Sequence, residues 1–232
     1  MDHHCRRSCT RGVEAVSAHR LVTSAGELHA RPISTAAAVE VLRIDRSAVV
    51  LGSTQSFDLV DAERAAELGF DVVRRRSGGG VVILQQYDHL WVDVTVPRGH
   101  RLWHDDVERA TWWLGEVWCD ALTETIGAGV WAVHRDRLTS RGTERSVCFA
   151  ALGPGEVTRD TRKVVGIAQR RTKDAARFQC TVYREIDLAL HAQLLRGSLP
   201  DGLSKATGVG DKLEPLQVQV VTALTAALAR AT

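Results

Sequence analysis

The sequence predicts an α+β fold, with a mixed, largely antiparallel sheet packed with helices. Strand-like apolar runs and helix-like segments are interspersed, but they do not alternate in the strict order of a doubly wound parallel sheet. No Walker glycine-lysine loop and no G-x-G-x-x-G is present, so the common nucleotide-binding folds have no support. The length of 232 residues fits one large domain, or a domain with a small appendage. An apolar fraction of 44% and a charged fraction of 25% are ordinary for a globular chain.

Residues 1–40 show no clear period. Met1-Asp2-His3-His4-Cys5 with Cys9 offers zinc-type ligands but lacks a second paired cluster. Residues 1–38 are therefore expected to be a disordered basic leader before a single domain over 39–232. Glu40–Ile44 and Ala48–Leu51 read as strands joined by the polar turn Asp45-Arg46-Ser47. Gly52–Ser56 is a loop. A helix over Phe57–Leu68 follows, with Ser56 or Asp58 as cap, an apolar stripe of Leu59, Ala62, Ala65 and Ala66, and Gly69 as its left-handed stop. Phe70–Arg74, Gly80–Leu84 and Leu90–Val96 are strands. In the last, Trp91, Asp93 and Thr95 alternate with Val92, Val94 and Val96, which predicts one buried and one more polar face.

His104–Ile126 is predicted as the longest helix. Asp105 and Asp106 favour its N-terminus through the helix dipole, and Val107, Ala110, Leu114, Val117, Trp118 and Ala121 recur at helical spacing. Val130–Val133 is a strand, Asp136–Thr143 a polar loop, Ser146–Ala150 an apolar run and Gly153-Pro154-Gly155 a turn. Lys163–Ala168 and Arg177–Tyr183 are strands separated by a charged turn, Arg170–Asp174. Ile186–Leu195 is a short helix and Arg196–Lys212 is loop-rich. Pro215–Arg230 closes the chain as a helix, with Leu216, Val220, Leu224 and Leu228 on one stripe.

Composition narrows the function. A formal net charge of +2 gives no argument for nucleic acid. No stretch approaches the roughly 18 apolar residues that span a bilayer, and no secretory signal is visible, so no membrane partner is expected. Five scattered cysteines do not read as a disulfide framework, and a reducing cytoplasm is the expected location.

Three stretches can carry chemistry. In Arg74-Arg75-Arg76-Ser77-Gly78-Gly79-Gly80, bare glycine backbone and guanidinium forks suit an anion, although a glycine-requiring turn explains the same residues. Lys163 opens an apolar strand in which Gly166 permits close approach. An ammonium about 4 Å from an anion is worth on the order of 4 kcal/mol at an effective dielectric of about 20, so Lys163 could stabilise charge developing in acyl transfer. A strand-edge lysine before solvated basic residues is the plainer reading. Cys148 lies in Ser146-Val147-Cys148-Phe149-Ala150. It is either an inert core thiol or a nucleophile activated by nearby positive charge, for which Arg145 and Lys163 are candidates. Cys119 and Cys180 read as core.

Together these stretches resemble the biotin/lipoate protein ligase superfamily, in particular lipoate–protein ligase A-like proteins. Arg74–Gly80 contains the family's Arg-Arg-x-Ser-Gly-Gly-Gly loop. Lys163-Val164-Val165-Gly166-Ile167-Ala168-Gln169-Arg170-Arg171 matches its lysine-strand signature, and Gly52 and Gln55 fall where the family has a Gly-x-x-Gln turn. The resemblance covers roughly Val41–Tyr183. It implies the class II biotin/lipoate ligase-type catalytic domain and transfer of a lipoyl or octanoyl group to a lysine of an acceptor domain. It also implies that Lys163 contacts the acyl carbonyl and activated group. Arg74, Ser77, Gly78, Gly79, Gly80, Gly166 and Gln169 are then expected to line the substrate and nucleotide site. No resident metal site is implied.

Ligases of the family use ATP and Mg²⁺ with lipoate or octanoate. The related octanoyltransferases need neither, and pass the acyl group from a carrier protein through a cysteine thioester. One transferase branch resembles this chain in having Cys-Phe upstream of the lysine, which makes Cys148 a candidate nucleophile. Two departures count against a self-sufficient ligase. Ile83-Leu84-Gln85 stands where ligases commonly have Tyr-His-Asp, and fewer than fifty residues follow Tyr183, too few for a C-terminal accessory domain. A separate accessory chain would account for the second, and a non-catalytic acyl- or nucleotide-binding homologue for both. A biotin-attaching enzyme is the further alternative, but its Gly-Arg-Gly-type loop is not found.

Overall fold

The computed structural model describes residues 18–127, 129–139 and 142–230. Its strands are β1 (Ala18–Thr23), β2 (Ala38–Ile44), β3 (Ala48–Leu51), β4 (Asp71–Arg74), β5 (Val82–Leu84), β6 (His89–Pro97), β7 (Trp131–Val133), β8 (Val157–Arg159), β9 (Arg162–Arg171) and β10 (Ala175–Tyr183). Its α-helices are α1 (Ala25–Ala30), α2 (Ala62–Glu67), α3 (Trp112–Ile126), α4 (Leu188–Leu194) and α5 (Leu213–Ala229).

The predicted α+β class holds. Seven strands form one sheet in the order β1-β2-β6-β10-β9-β8-β7, antiparallel except for the β1–β2 pair. A smaller sheet has the order β4-β3-β5. Helices α3 and α5 cover one face of the large sheet, where Leu114, Trp118, Leu216, Val220 and Leu224 pack on Val92, Val94, Phe178 and Cys180. Its other face meets α1 and the small sheet through Leu28, Leu42, Val50, Leu84 and Trp91. The far side of the small sheet packs on Val60, Ala65, Leu190 and Leu194. The candidate site lies at the seam between the two sheets.

The structure departs from the sequence reading in several places. Residues 18–38 are not a leader: β1 pairs with β2, and Ser24 caps α1 by accepting from Glu27 N. Leu28 of α1 is completely buried. The His-Cys cluster and Cys9 lie outside the described residues. Strands β2 and β3 do not form a hairpin; the turn between them passes the chain from one sheet to the other. The helix expected over Phe57–Leu68 is a single 3₁₀ turn, Phe57–Leu59, followed by α2, because buried Val60 interrupts it and Asp61 caps anew.

Helix α3 begins only at Trp112. Asp106 Oδ1 accepts from Glu108 N (2.8 Å) and Arg109 N (3.1 Å), holding that stretch as a turn rather than a first helical turn. Helix α5, with 17 residues, is longer than α3, with 15. The polar face of β6 is as buried as its apolar one. Asp93 is fully enclosed, with Arg31 (3.3 Å), Arg177 (3.6 Å) and the Trp91 indole (2.7 Å) as partners. Among the described residues no helix is long and apolar enough to cross a membrane.

Candidate functional site

Strand β4 delivers the arginine–glycine stretch, and successive residues there point to opposite sides. Arg74 therefore turns outward. Its guanidinium lies 4.4 Å from the Phe57 ring centre and Nη2 donates to Gln55 O (2.7 Å), so it lines neither cavity described below. Arg75 turns inward and is buried. Its Nη2 donates to Gly78 O and Gly80 O, both at 2.8 Å, and Nη1 to Val50 O (3.3 Å). Burial pushes the Arg75 pKa below its ordinary value. The guanidinium thus holds the glycine loop from within. Gly79 sits at φ 95°, a conformation that favours glycine. The buried Ser77 hydroxyl has no hydrogen-bond partner among the described residues.

The glycine loop is joined directly to the Cys148 segment. Val81 N donates to Ser146 O (2.8 Å) and Cys148 N to Val81 O (2.9 Å), forming a parallel bridge. The Gly52–Gln55 turn locks the same junction. Gly52 N donates to Gln55 Oε1 (2.9 Å), Gln55 Nε2 to Ser146 O (2.9 Å), and Ser53 N to Ser77 O (3.0 Å). The apolar run Ser146–Ala150 is not a strand. Cys148–Ala150 forms a 3₁₀ turn, with Cys148 half-buried.

Lys163, near the start of β9, is buried and enters this turn from the other side. Its Nζ lies 2.6 Å from Glu156 Oε2, 2.9 Å from Cys148 O, 3.0 Å from Ala151 O and 4.0 Å from Cys148 Sγ. The Phe149 ring centre is 4.9 Å away. Glu156 is buried as well, and also accepts from Gly153 N (2.7 Å) and Ile167 N (3.0 Å). Gly166 lets the Phe149 ring pack close, since a Cβ there would lie 3.0 Å from it.

Two cavities meet at Cys148. One has apolar walls from Val50, Val82, Leu84, Trp91, Phe149 and Ile167. It also reaches His29, Gln179 and Thr181. Burial, and then the positive charges of Arg75 and Arg177, hold the His29 pKa down to about 3, so its ring is neutral near pH 7. The other cavity is a wider, more polar cleft, lined by Ser77, Gly78, Gly79, Gly80, Lys163 and Gln169 among others. Arg75, Cys148, Ile167 and Ala168 border both. Gln169 sits at the rim, its amide oriented to donate to Val107 O (3.2 Å) and accept from Arg171 Nε (3.1 Å). Among the described residues no group of three or more His, Cys, Asp or Glu side chains is placed to hold a metal ion.

Of the residues singled out in the sequence, Cys148, Lys163, Ser77, Gly78, Gly79, Gly80, Gly166 and Gln169 converge on these cavities, and Arg74 does not. Sequence reading missed Arg75, Glu156 and His29. For Arg75 the strand's alternation was an available signal. No spacing rule linked Glu156 or His29 to the site.

Residues 25–226 match the family profile of the lipoyl protein ligase A/B catalytic domain. No curated protein sequence matches the chain. Among solved structures, the chain is similar to a lipoate-protein ligase A bound with ATP, at 16% identity over 93% of this chain and 92% of that one, with a TM-score of 0.66. It is similar to protein Ta0514 of Thermoplasma acidophilum with bound lipoic acid, at 14% identity over 93% of each chain, TM-score 0.63. A bi-partite lipoate protein ligase from Thermoplasma acidophilum, solved in a study with its E2 lipoyl domain, is 16% identical over 93% of this chain and 91% of that one, TM-score 0.60.

Proposed function

Because the chain belongs to the lipoyl protein ligase A/B catalytic-domain family, we propose that it transfers a lipoyl or octanoyl group to a lysine of an acceptor domain, through a thioester on Cys148. The observation that carries this reading is the position of Cys148, on the border between an apolar cavity and a polar cleft, with Lys163 Nζ 4.0 Å from its sulfur. The apolar cavity takes the acyl chain, which leaves its carbonyl at the sulfur. The polar cleft takes whatever brings or receives the group.

In the first step the Cys148 thiolate attacks the carbonyl of a carrier-protein thioester. A new C–S bond forms, the old one breaks, and the carrier thiolate leaves. In the second step the acceptor lysine amine attacks the Cys148 thioester. The amide C–N bond forms, and the thiolate departs with the proton the amine gives up. Covalent capture divides one difficult acyl transfer into two easier ones. Lys163 supplies fixed positive charge beside the sulfur, and the Arg75-braced glycine loop supplies the opposite wall.

A second reading is a ligase that activates free lipoate or octanoate with ATP and Mg²⁺. It is supported by the similarity to a ligase bound with ATP and to a protein with bound lipoic acid. In that case Ser77 and the glycine loop receive the nucleotide. The bi-partite relative supports a separate accessory chain as partner in this reading.

The test is incubation with an apo lipoyl acceptor domain and either octanoyl-carrier protein without ATP, or lipoate with ATP and Mg²⁺, followed by the mass of the acceptor. The thioester reading expects transfer from the carrier, loss of transfer in Cys148→Ala, and a mass adduct on the wild-type enzyme that hydroxylamine removes. Carrier-dependent transfer that survives Cys148→Ala refutes it. Product only with lipoate and ATP selects the ligase reading, and no product with either donor selects a binding homologue.

A further inference from the structure

We propose that Glu156 is the positioning residue of this site, acting on Cys148 through Lys163. This rests on the reading of Cys148 as the acyl-carrying group. An ammonium has three N–H donors. Here Glu156 Oε2 (2.6 Å), Cys148 O (2.9 Å) and Ala151 O (3.0 Å) account for all three. With its N–H donors so engaged, Lys163 is held against the turn. It serves as a brace, gripping the two ends of the turn that carries the thiol.

Glu156 anchors that brace. Its Oε1 accepts from Ile167 N (3.0 Å) in β9, and its Oε2 accepts from Gly153 N (2.7 Å) in the turn before β8. One buried carboxylate thus ties together the β9 backbone, the turn that closes the polar cleft, and the lysine. A buried lysine loses its fixed place when the partner carboxylate is lost, because it must then find another anion or water. Glu156 borders the polar cleft only, and the apolar cavity is built without it. Its loss should therefore spare recognition of the acyl chain and disturb the thiol turn.

Amide hydrogen exchange separates this role from a local structural one, since it reads the turn whether or not acyl transfer occurs. Cys148 N and Ala150 N, bonded to Val81 O and Val147 O, report the turn. Gly153 N and Ile167 N report the direct bonds to Glu156. Four proteins are compared: wild type, Glu156→Gln, Lys163→Ala and the double variant. The expected result is that Glu156→Gln speeds exchange at Cys148 and Ala150 about tenfold when Lys163 is present, and less than twofold on top of Lys163→Ala. Equal acceleration in both backgrounds, or acceleration confined to Gly153 and Ile167, overturns the proposal.

If Glu156→Gln does not fold, Glu156→Asp enters the same cycle, with the same two criteria. Where the wild type transfers an acyl group, Glu156→Gln is further expected to lower kcat at least tenfold with KM for the acyl donor within twofold. A wild type that transfers nothing removes the thioester reading, while the exchange result still decides the brace.

Discussion

Replacing Gly80 by alanine tests whether the glycine loop and the Cys148 turn are one structural unit. A Cβ at Gly80 would lie 2.6 Å from the carbonyl carbon of Val147, 2.7 Å from Cys148 N and 2.8 Å from Arg145 O. All three are backbone atoms, so no side chain can rotate aside. Relief requires the 145–148 backbone to move away from the loop, which breaks the Val81 N–Ser146 O and Cys148 N–Val81 O bonds. Two such bonds contribute about 2 kcal/mol together and overpacking costs about 1–3 kcal/mol, so the expected loss is about 3–5 kcal/mol. At roughly 2–4 °C per kcal/mol for a chain of this size, the melting midpoint should fall by roughly 6–20 °C. The assay is a calorimetric melt at pH 7, with Gly78→Ala as comparison, since a Cβ at Gly78 meets nothing within 4 Å and needs no positive φ. Gly78→Ala should melt within roughly 2 °C of wild type, as expected of a change that avoids the core. If Gly80→Ala melts that close to wild type, or Gly78→Ala falls as far as Gly80→Ala, the reasoning is wrong.

The neighbouring arginines should separate in the same assay. Arg75→Lys cannot reach Gly78 O, Gly80 O and Val50 O together, and should cost about 2–4 kcal/mol, whereas Arg74→Ala loses an exposed ring contact and an exposed bond to Gln55 O, about 1–2 kcal/mol together. His29 should make stability fall in acid. Its folded pKa is about 3 against the ordinary imidazole value of 6.5, so its stabilisation is complete above pH 6.5 and is lost as pH drops toward 3. Urea unfolding of His29→Gln should therefore lose about 2 kcal/mol less than wild type between pH 7 and pH 5, and an identical loss refutes the assignment.

The strands were legible because their apolar runs are bounded by glycine, proline and charge, and because β6 keeps a period of two. What the alternation could not tell was that the Asp93 face of β6 is also covered. That depends on α1 and Arg31, which come from residues with no period of their own. Strand β1 is an exposed edge whose apolar residues, Ala18, Leu21 and Val22, keep no alternation, and α1 has only six residues, so neither leaves a pattern. The start of α3 was misplaced because an aspartate suits both a helix dipole and a side-chain-capped turn. In the site, glycines and the lysine were legible because backbone approach and buried charge restrict residue type. Glu156 was not, because a carboxylate after a Gly-Pro-Gly turn reads as solvated until the fold shows what surrounds it.

The seam between the two sheets also sets when the site can exist. Val81 bridges Val147, Lys163 bridges Ala206, and β6 pairs with β10, all between segments far apart in the chain. Closures of that kind form slowly, because the loop entropy is lost before the contacts are made. During synthesis the glycine loop emerges long before β9 and β10, and its partner turn cannot be braced until Lys163 has joined the sheet. The thiol is thus fixed in place late, and a chain made only as far as Cys148 holds the glycine loop and the thiol without holding a site.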